Sequence, residues 1–561
     1  MTQLDWVVIG LYFCLIGVVA WWYGRNQKDK KDFFLAGRSA GWIVIGASIF
    51  TSNIGSEHIV GLAGQGARSG LAMAHWELHA WVLIMLAGVF VPFYYTSGVE
   101  TIPQFLERRF SARTRWILSL VSLVAYVFTK VSVTVYAGAV VFQALLPDTF
   151  GSPENAFWVG AFSTVILTGI YTVFGGMRAI MSTSAPQAVI ILFGSFVITA
   201  IGLGKLGGWG ELVTLCQGNA EAFSLWRPLS DKTFPWLGVM IASVIIGIWF
   251  WCTDQYIVQR ALSAKDWTTA RRGALFGGLL KVWPVLIFMI PGMIGWSLHQ
   301  KGLIHLPVAM ENGVETIKTD LVFPTLVKEL LPTGIRGLIV ACLLAALMSS
   351  LASLFNSSAS LFTVDVYEKL RPGKSEKHLL TVGRIATTTV VVLGILWIPV
   401  MKKVSGGGLY QYLQNVQGFL APPIVAVFLL GLFWKRINSH GATWGLGAGF
   451  ILGMIKLTLQ TFFGAGEGQI HDPAFLAAIG DFNAYYATGV LALLSVIIVV
   501  VASLLSPPPS EEKTAGLMYG AVTGATAQEI KASWDLGNKL LAVAILVCVA
   551  TMYIYFSFWL S

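Results

Sequence analysis

Residues 42–65 read WIVIGASIFTSNIGSEHIVGLAGQ. The stretch is long enough to cross a bilayer, which takes about 20 apolar residues. Its middle, TSNIGSEH (Thr51–His58), is nevertheless polar and holds a glycine, an acid and a histidine. Backbone unwinds at membrane depth only where it is buried in protein or lines a cavity. IGIWFWCTDQ (Ile246–Gln255) repeats the pattern, with glycine and polar groups deep in an apolar run. Two interrupted membrane helices, well separated in sequence, suggest a solute site built where helices break.

Composition supports lipid as the solvent. Of 561 residues, 56% are hydrophobic and only 12% charged, against about 25% charged in soluble proteins. A larger soluble core cannot explain that, because surface grows with size and needs solvating groups. The net charge of +9 raises the question of nucleic acid, but the basic residues fall in loops between spans, and no nucleic-acid partner is expected. Cys14, Cys216, Cys252, Cys342 and Cys548 lack paired or metal-type spacing; four of them lie in apolar runs and read as small buried hydrophobes. The first apolar run, 4–23, is long enough to span and has no basic region before it, so it reads as a retained helix.

Fourteen apolar segments suit a crossing: 4–23, 42–65, 71–97, 116–146, 156–175, 180–204, 235–259, 273–298, 336–366, 379–401, 408–434, 441–464, 483–506 and 538–560. If each spans, 23 basic residues gather on one side, among them Arg25, Lys28, Arg108, Arg178, Arg260, Lys369 and Lys435. The other side holds nine, partly in long loops, which count less. The basic side is expected to be cytoplasmic and both termini extracytoplasmic. VFGGMRA (Val173–Ala179) reads as a tight cytoplasmic turn, and a glycosylation triplet at Asn356 lies inside a span.

Spans two to eleven divide into two groups of five, core helices one to ten, as in transporters built from inverted five-helix repeats. The expected division is a leading helix and loop over 1–41, a first repeat over 42–204, a second over 205–436 and peripheral helices over 437–561. Ionisable residues inside the spans are Glu57, His58, Glu77, Lys130, Asp254 and Lys281. Each is expensive in lipid without a partner. The bland reading pairs Glu77 with Lys281 and Asp254 with Arg260, and nothing near Lys130 suggests a site. With Asn53, Gln414 and several aromatics they suit a polyhydroxylated solute, which needs donors, acceptors and a ring face to lie on. Sodium, a hard cation, takes oxygens, and the first break exposes carbonyls at Thr51 and Ile54. In AALMSSLAS (Ala345–Ser353), Ser349 and Ser350 could add hydroxyls, although serine pairs in membrane helices are more often helix contacts.

Several segments together resemble the sodium/solute symporter family and, within it, the sodium/glucose cotransporters. They are DFFLAGRS (Asp32–Ser39), ASIFTSNIGSEHIVGLAGQGARSGLA (Ala47–Ala72), WCTDQYIVQRALSAK (Trp251–Lys265), RGLIVACLLAALMSSLASLFNSSASLFTVDVY (Arg336–Tyr367) and APPIVAVFLLGLFWKR (Ala421–Arg436). The resemblance implies an all-α, LeuT-type inverted-repeat core of about 14 transmembrane helices. It implies sugar contacts from Asn53, Glu57, His58, Glu77, Lys281 and Gln414, with Phe250 and Trp251 at the inner gate. It implies sodium held by the carbonyls of Thr51, Ile54 and Ala346 and the hydroxyls of Ser349 and Ser350. The activity implied is sodium-driven uptake of a sugar by alternating access, without enzymatic chemistry, in the plasma (inner) membrane and with no obligatory protein partner. Myo-inositol, another polyol or a small carboxylate is an alternative solute. A sugar sensor would need a signalling domain, and an intramembrane enzyme a nucleophile or metal constellation; neither is visible. Three positions depart from the family. Phe250 replaces the usual gate tyrosine and cannot hydrogen-bond to Asn53, Ser184 replaces an aspartate tied to cation coupling, and Thr134 replaces another. The serine at 184 implies one sodium per sugar.

Overall fold

The computed structural model describes residues 2–561 apart from 26, 148, 312, 313, 405–408 and 467; side chains at 56, 57, 128, 309, 311, 314, 400–404, 409 and 410 are also not described. The turn between core helices nine and ten and the side chain of Glu57 therefore lie outside the described residues.

The chain is helical, with one short hairpin pairing Val308–Glu311 antiparallel to Val314–Ile317. The long elements are α1 Gln3–Gly24, α2 Trp42–Asn53, α3 Ser56–Ser69, α4 His75–Thr96, α5 Ala112–Leu145, α6 Pro153–Leu206, α7 Trp236–Thr253, α8 Gln255–Leu262, α9 Trp267–Gln300, α10 Ile335–Leu370, α11 Glu376–Pro399, α12 Gln411–Phe433, α13 Ser439–Phe462, α14 Ala484–Leu504 and α15 Leu536–Phe558.

Twelve helices among the described residues are long and apolar enough to cross a membrane, so the protein is a multi-pass membrane protein. The expected count of fourteen is not reached on that measure, for two local reasons. Span 42–65 is split into α2 and α3, each too short alone. Spans 156–175 and 180–204 fall in the single element α6, whose 54 residues would run about 81 Å as a straight helix, well over twice the hydrocarbon thickness. Gly176 interrupts it with φ 52°. That positive φ is open to glycine at little cost, and the break falls inside the expected VFGGMRA turn.

Both expected interruptions are present. At the first, Ile54 N–H closes α2 on Phe50 O at 2.9 Å, and Gly55 N–H turns back to Asn53 O at 3.1 Å. At the second, α7 ends in a π-helical turn, Trp249–Thr253, and Asp254 caps α8 by accepting from Tyr256 N–H at 3.2 Å. Such π turns are common at functional sites.

Buried α10 packs against α1, α2, α5, α6 and α11. Glycines let the site-bearing helices approach closely, as is usual in membranes. A Cβ on Gly273 of α9 would lie 2.5 Å from Ile45 of α2, and one on Gly292 would lie 1.8 Å from Ala63 O of α3. Asp5 accepts from the N–H groups of Gly334 (2.8 Å) and Gly337 (2.9 Å), tying α1 to the start of α10.

Candidate functional site

The two helix breaks face one cleft. It is lined by Asn53 and His58 from the first break, Trp76, Glu77 and His79 from α4, Gly247, Phe250 and Trp251 from α7, Lys281 from α9, and Gln414 and Gln417 from α12. Every expected sugar-contact residue with a described side chain is among them. The remaining cavity is about 30 Å³, room for a water or two. A sugar-sized solute would have to part the side chains.

Polar chemistry in the cleft is partly satisfied within the protein. Lys281 forms an ion pair with Glu77, both side chains almost fully buried, as the bland sequence reading paired them. Trp251 donates its indole N–H to His79 Nε2 at 2.9 Å. Indole is a donor only, so Nε2 accepts and the ring proton sits on Nδ1. A Cβ on Gly247 would lie 3.2 Å from the His79 ring, so glycine lets α7 approach it.

Other groups have no hydrogen-bond partner among the described residues. Asn53 Nδ2, Trp76 Nε1 and His79 Nδ1 are buried donors, and Gln414 Oε1 is a buried acceptor. In a membrane core such groups are costly, and they are found where a ligand or water completes them. Aromatic faces stand beside them, with the Phe250 and Trp251 rings 4.9 Å apart at 86°.

Lys130 corrects the sequence reading. Its Nζ lies 2.5 Å from Asp254 Oδ2, and the rings of Tyr126, Trp249, Phe250 and Tyr256 surround it at 4.7–5.0 Å. Asp254 thus pairs with Lys130, not Arg260, and Tyr126 hydroxyl also donates to it. Arg260, expected in a cytoplasmic loop, is fully buried. It donates to Ser52 Oγ at 2.8 Å and to the Tyr256 carbonyl.

The expected sodium residues meet where α10 crosses the first break. Ser349 Oγ donates to Thr51 Oγ1 at 3.0 Å and Ser350 Oγ to Ser52 O at 3.0 Å. Ile54 is the break residue, and Ala346 lies fully buried one turn before Ser349. Gly55 N–H would cap the Thr51 carbonyl in an unbroken helix but bonds Asn53 instead, so Thr51 presents oxygen in the manner a hard cation requires. Ser184 is turned into the protein, donating to Ile180 O at 2.7 Å with Ser48 Oγ as the alternative acceptor at 3.2 Å. Among the described residues no group of three or more His, Cys, Asp or Glu side chains could hold a metal.

Three cleft residues were not singled out from sequence. His79 follows Glu77 by two residues, Trp76 precedes it, and Gln417 lies three residues after Gln414 on the same helical face.

The sodium:solute symporter family profile matches residues 33–449. Sodium/glucose cotransporter 4 of Danio rerio is 38% identical over 525 residues, covering 89% of this chain and 78% of that protein. The sodium/myo-inositol cotransporter of Homo sapiens is 37% identical over 537 residues, covering 89% and 73%. Among solved structures, the substrate-bound outward-open state of a Na+-coupled sialic acid symporter superposes with a TM-score of 0.74 at 21% identity, covering 90% of this chain and 99% of that one. That last likeness is one of fold.

Proposed function

The chain belongs to the sodium:solute symporter family, and on that premise we propose that it couples inward sodium movement to uptake of a sugar, a hexose such as glucose or galactose, by alternating access. The observation that carries the sugar reading is the set of buried cleft groups without hydrogen-bond partners among the described residues: Asn53 Nδ2, Trp76 Nε1, His79 Nδ1 and Gln414 Oε1. Such a mixture of donors and acceptor beside aromatic faces matches hydroxyls, each of which donates and accepts. Glu77 and Lys281 offer further partners once the solute separates them. Glu57 belongs to the proposed set from its sequence position alone.

Sodium at Thr51, Ile54, Ala346, Ser349 and Ser350 would join α10 to the broken α2–α3 helix. Fixing the break also fixes Asn53, one residue from Ile54, so sodium and sugar each favour the state that binds the other. One sodium crossing 100 mV supplies about 2.3 kcal/mol before any concentration gradient is added. The division into repeats 42–204 and 205–436, extracytoplasmic termini and a plasma-membrane location are parts of the same reading. Myo-inositol is the second candidate solute, favoured by the relative of that name at 37% identity; it too is a polyol and makes the same demands on the cleft.

Radiolabelled uptake of a sugar and polyol panel into proteoliposomes, with and without an inward sodium gradient, tests the proposal. Sodium-stimulated accumulation of a hexose supports it. Accumulation of myo-inositol alone would transfer the assignment, and uptake indifferent to sodium would end the symport reading.

A further inference from the structure

The cytoplasmic half of α10 carries polar groups that the solute and sodium sites do not use. Ser349, Ser353, Asn356, Ser360 and Thr363 recur at helical spacing and share one face. Asn356, Ser360 and Thr363 are all 0–1% exposed. Among the described residues both amide atoms of Asn356 and the hydroxyls of Ser360 and Thr363 have no hydrogen-bond partner.

That behaviour contrasts with many other buried hydroxyls in this chain. Thr164, Thr172 and Ser495 each bond the carbonyl four residues back at 2.7 Å, the usual economy for serine and threonine in a membrane helix. Ser353 does the same with Ser349 O at 2.7 Å. Beyond Ser353 the pattern stops, and the stripe of unsatisfied groups begins.

The wall on α8 is polar as well. Ser357 Oγ donates to Gln259 Oε1 at 3.0 Å, and Ser52 Oγ, held by Arg260, lies 2.9 Å from Ser353 Oγ. Arg260 Nη2 is buried without a hydrogen-bond partner among the described residues. Near the far end, Asp365 accepts from Thr101 at 2.9 Å and from Arg115 on Oδ1, while its buried Oδ2 has no hydrogen-bond partner among the described residues. From Ser349 to Asp365 the helix rises about 24 Å, most of a hydrocarbon core.

We propose that this stripe is the hydrated path by which sodium leaves for the cytoplasm, with Asn356 as its relay. A bare cation cannot cross apolar packing, so departure from Ser349 and Ser350 needs oxygens or water at each step. Asn356 Oδ1, Ser360 and Thr363 supply them in order along the helix. Groups that bind weakly and in series favour passage over capture. The path rests on the symport reading above.

The test uses the full chain. Sodium release from proteoliposome-embedded protein, net sodium-driven sugar uptake, and equilibrium binding of sugar and sodium in detergent are measured together. Asn356→Leu, close in size but without polar atoms, should slow release and uptake by about tenfold or more while both equilibrium affinities stay within about twofold. Asn356→Ser, which restores an oxygen, should recover much of the rate. An Asn356→Leu protein that binds both ligands and transports at the wild-type rate overturns the path. So does an Asn356→Ser protein as slow as the leucine variant, or a weakened sodium affinity, which would make Asn356 a ligand of the main site. If Asn356→Leu binds nothing because it fails to fold, Ser360→Ala decides: slower release is expected, and wild-type release rejects the path. A wild type without sodium-dependent uptake refutes the symport reading itself, whereas a sodium-dependent wild type beside an unaffected variant refutes the path alone.

Discussion

Trp251 donates its indole N–H to His79 Nε2 across 2.9 Å, which leaves the opposite ring nitrogen, Nδ1, as a buried donor on a residue that lines the cleft. The Trp251 indole thereby sets the hydrogen-bonding character of a residue that lines the cleft. Trp251→Phe removes the donor, leaves Nε2 unpaired and lets the imidazole choose either tautomer. Sugar affinity is expected to fall by the cost of one unpaired buried group, about 1–3 kcal/mol, with sodium binding in the absence of sugar unaltered. Titration calorimetry with each ligand separately checks this, and an unchanged sugar affinity removes the pair from the site.

Gln414→Ala should cut sugar affinity at least about tenfold, because it deletes an acceptor that has no hydrogen-bond partner among the described residues. Glu77→Ala is expected to do the same but is a less clean probe, since it strands Lys281 in a buried setting. Losing one member of such a pair costs about 3–5 kcal/mol of stability. Thermal unfolding and sugar binding should therefore both fall for Glu77→Ala, and only binding for Gln414→Ala. Wild-type sugar affinity in both would exclude them as contacts.

The pair formed by Lys130 and Asp254 makes a reciprocal prediction. Asp254→Asn alone leaves the Lys130 charge buried among its rings, and Lys130→Met alone leaves the buried Asp254 carboxylate without its ion-pair partner. Each single variant should lose about 3–5 kcal/mol of stability, and the double variant should regain most of it. Melting temperatures of the four proteins close this cycle. Additive losses would mean that the two residues do not interact.

What the sequence revealed, and what it hid, follows from the range of the interactions. The breaks at Ile54–Gly55 and Asp254 were legible because polar residues stand out in an apolar run. Asn53, His58, Glu77, Lys281 and Gln414 were legible as intramembrane polar groups matching family motifs, and the fold brings them to one cleft. The partner of Lys130 was not legible: Asp254 lies 124 residues away, and only the packing of α5 on the second break joins them. Arg260 looked like a loop cation because it follows an apolar span, yet α8 carries it inward to Ser52. The crossings counted by hydropathy differ from the helices counted in the fold because hydropathy cannot see that 42–65 is two helices or that Gly176 interrupts one element.

Ser350→Ala should weaken sodium dependence more than sugar binding at saturating sodium. Its hydroxyl reaches Ser52 O at 3.0 Å, beside the Thr51 and Ser349 oxygens. Deleting it leaves any cation at the break with one ligand fewer, while no sugar contact is touched. Sodium activation of uptake is the readout, and a curve that superposes on wild type would move the sodium site away from Ser350.

Ser184, where the resemblance implies an aspartate in many relatives, bears on the sodium stoichiometry. An additional sodium near core helix five would need oxygen ligands, and a carboxylate is the strongest ligand a side chain could offer there. Ser184 stands at that position, and its hydroxyl hydrogen can serve only one acceptor at a time, with Ile180 O at 2.7 Å and Ser48 Oγ at 3.2 Å both in reach. Those neighbours already hold its oxygen in place. Pro186, two residues on, withdraws the backbone donor that would meet the Ser182 carbonyl in a regular helix, so it frees a neutral oxygen there but brings no charge. A second buried cation would add its charge to that of the first, which the proposed neutral-oxygen site at the helix break already leaves uncompensated, and without a carboxylate nothing offsets that added cost. One sodium per sugar is therefore expected, with sodium activation of uptake following a Hill coefficient of about one. The reversal potential of sugar flux in proteoliposomes at a fixed sodium gradient measures the ratio directly. A ratio of two would show that neutral ligands around Ser184 and Ser48 hold a second ion without a carboxylate. Ser184→Ala should then lower the ratio to one, and if one is already the wild-type value, the same substitution should leave it unchanged.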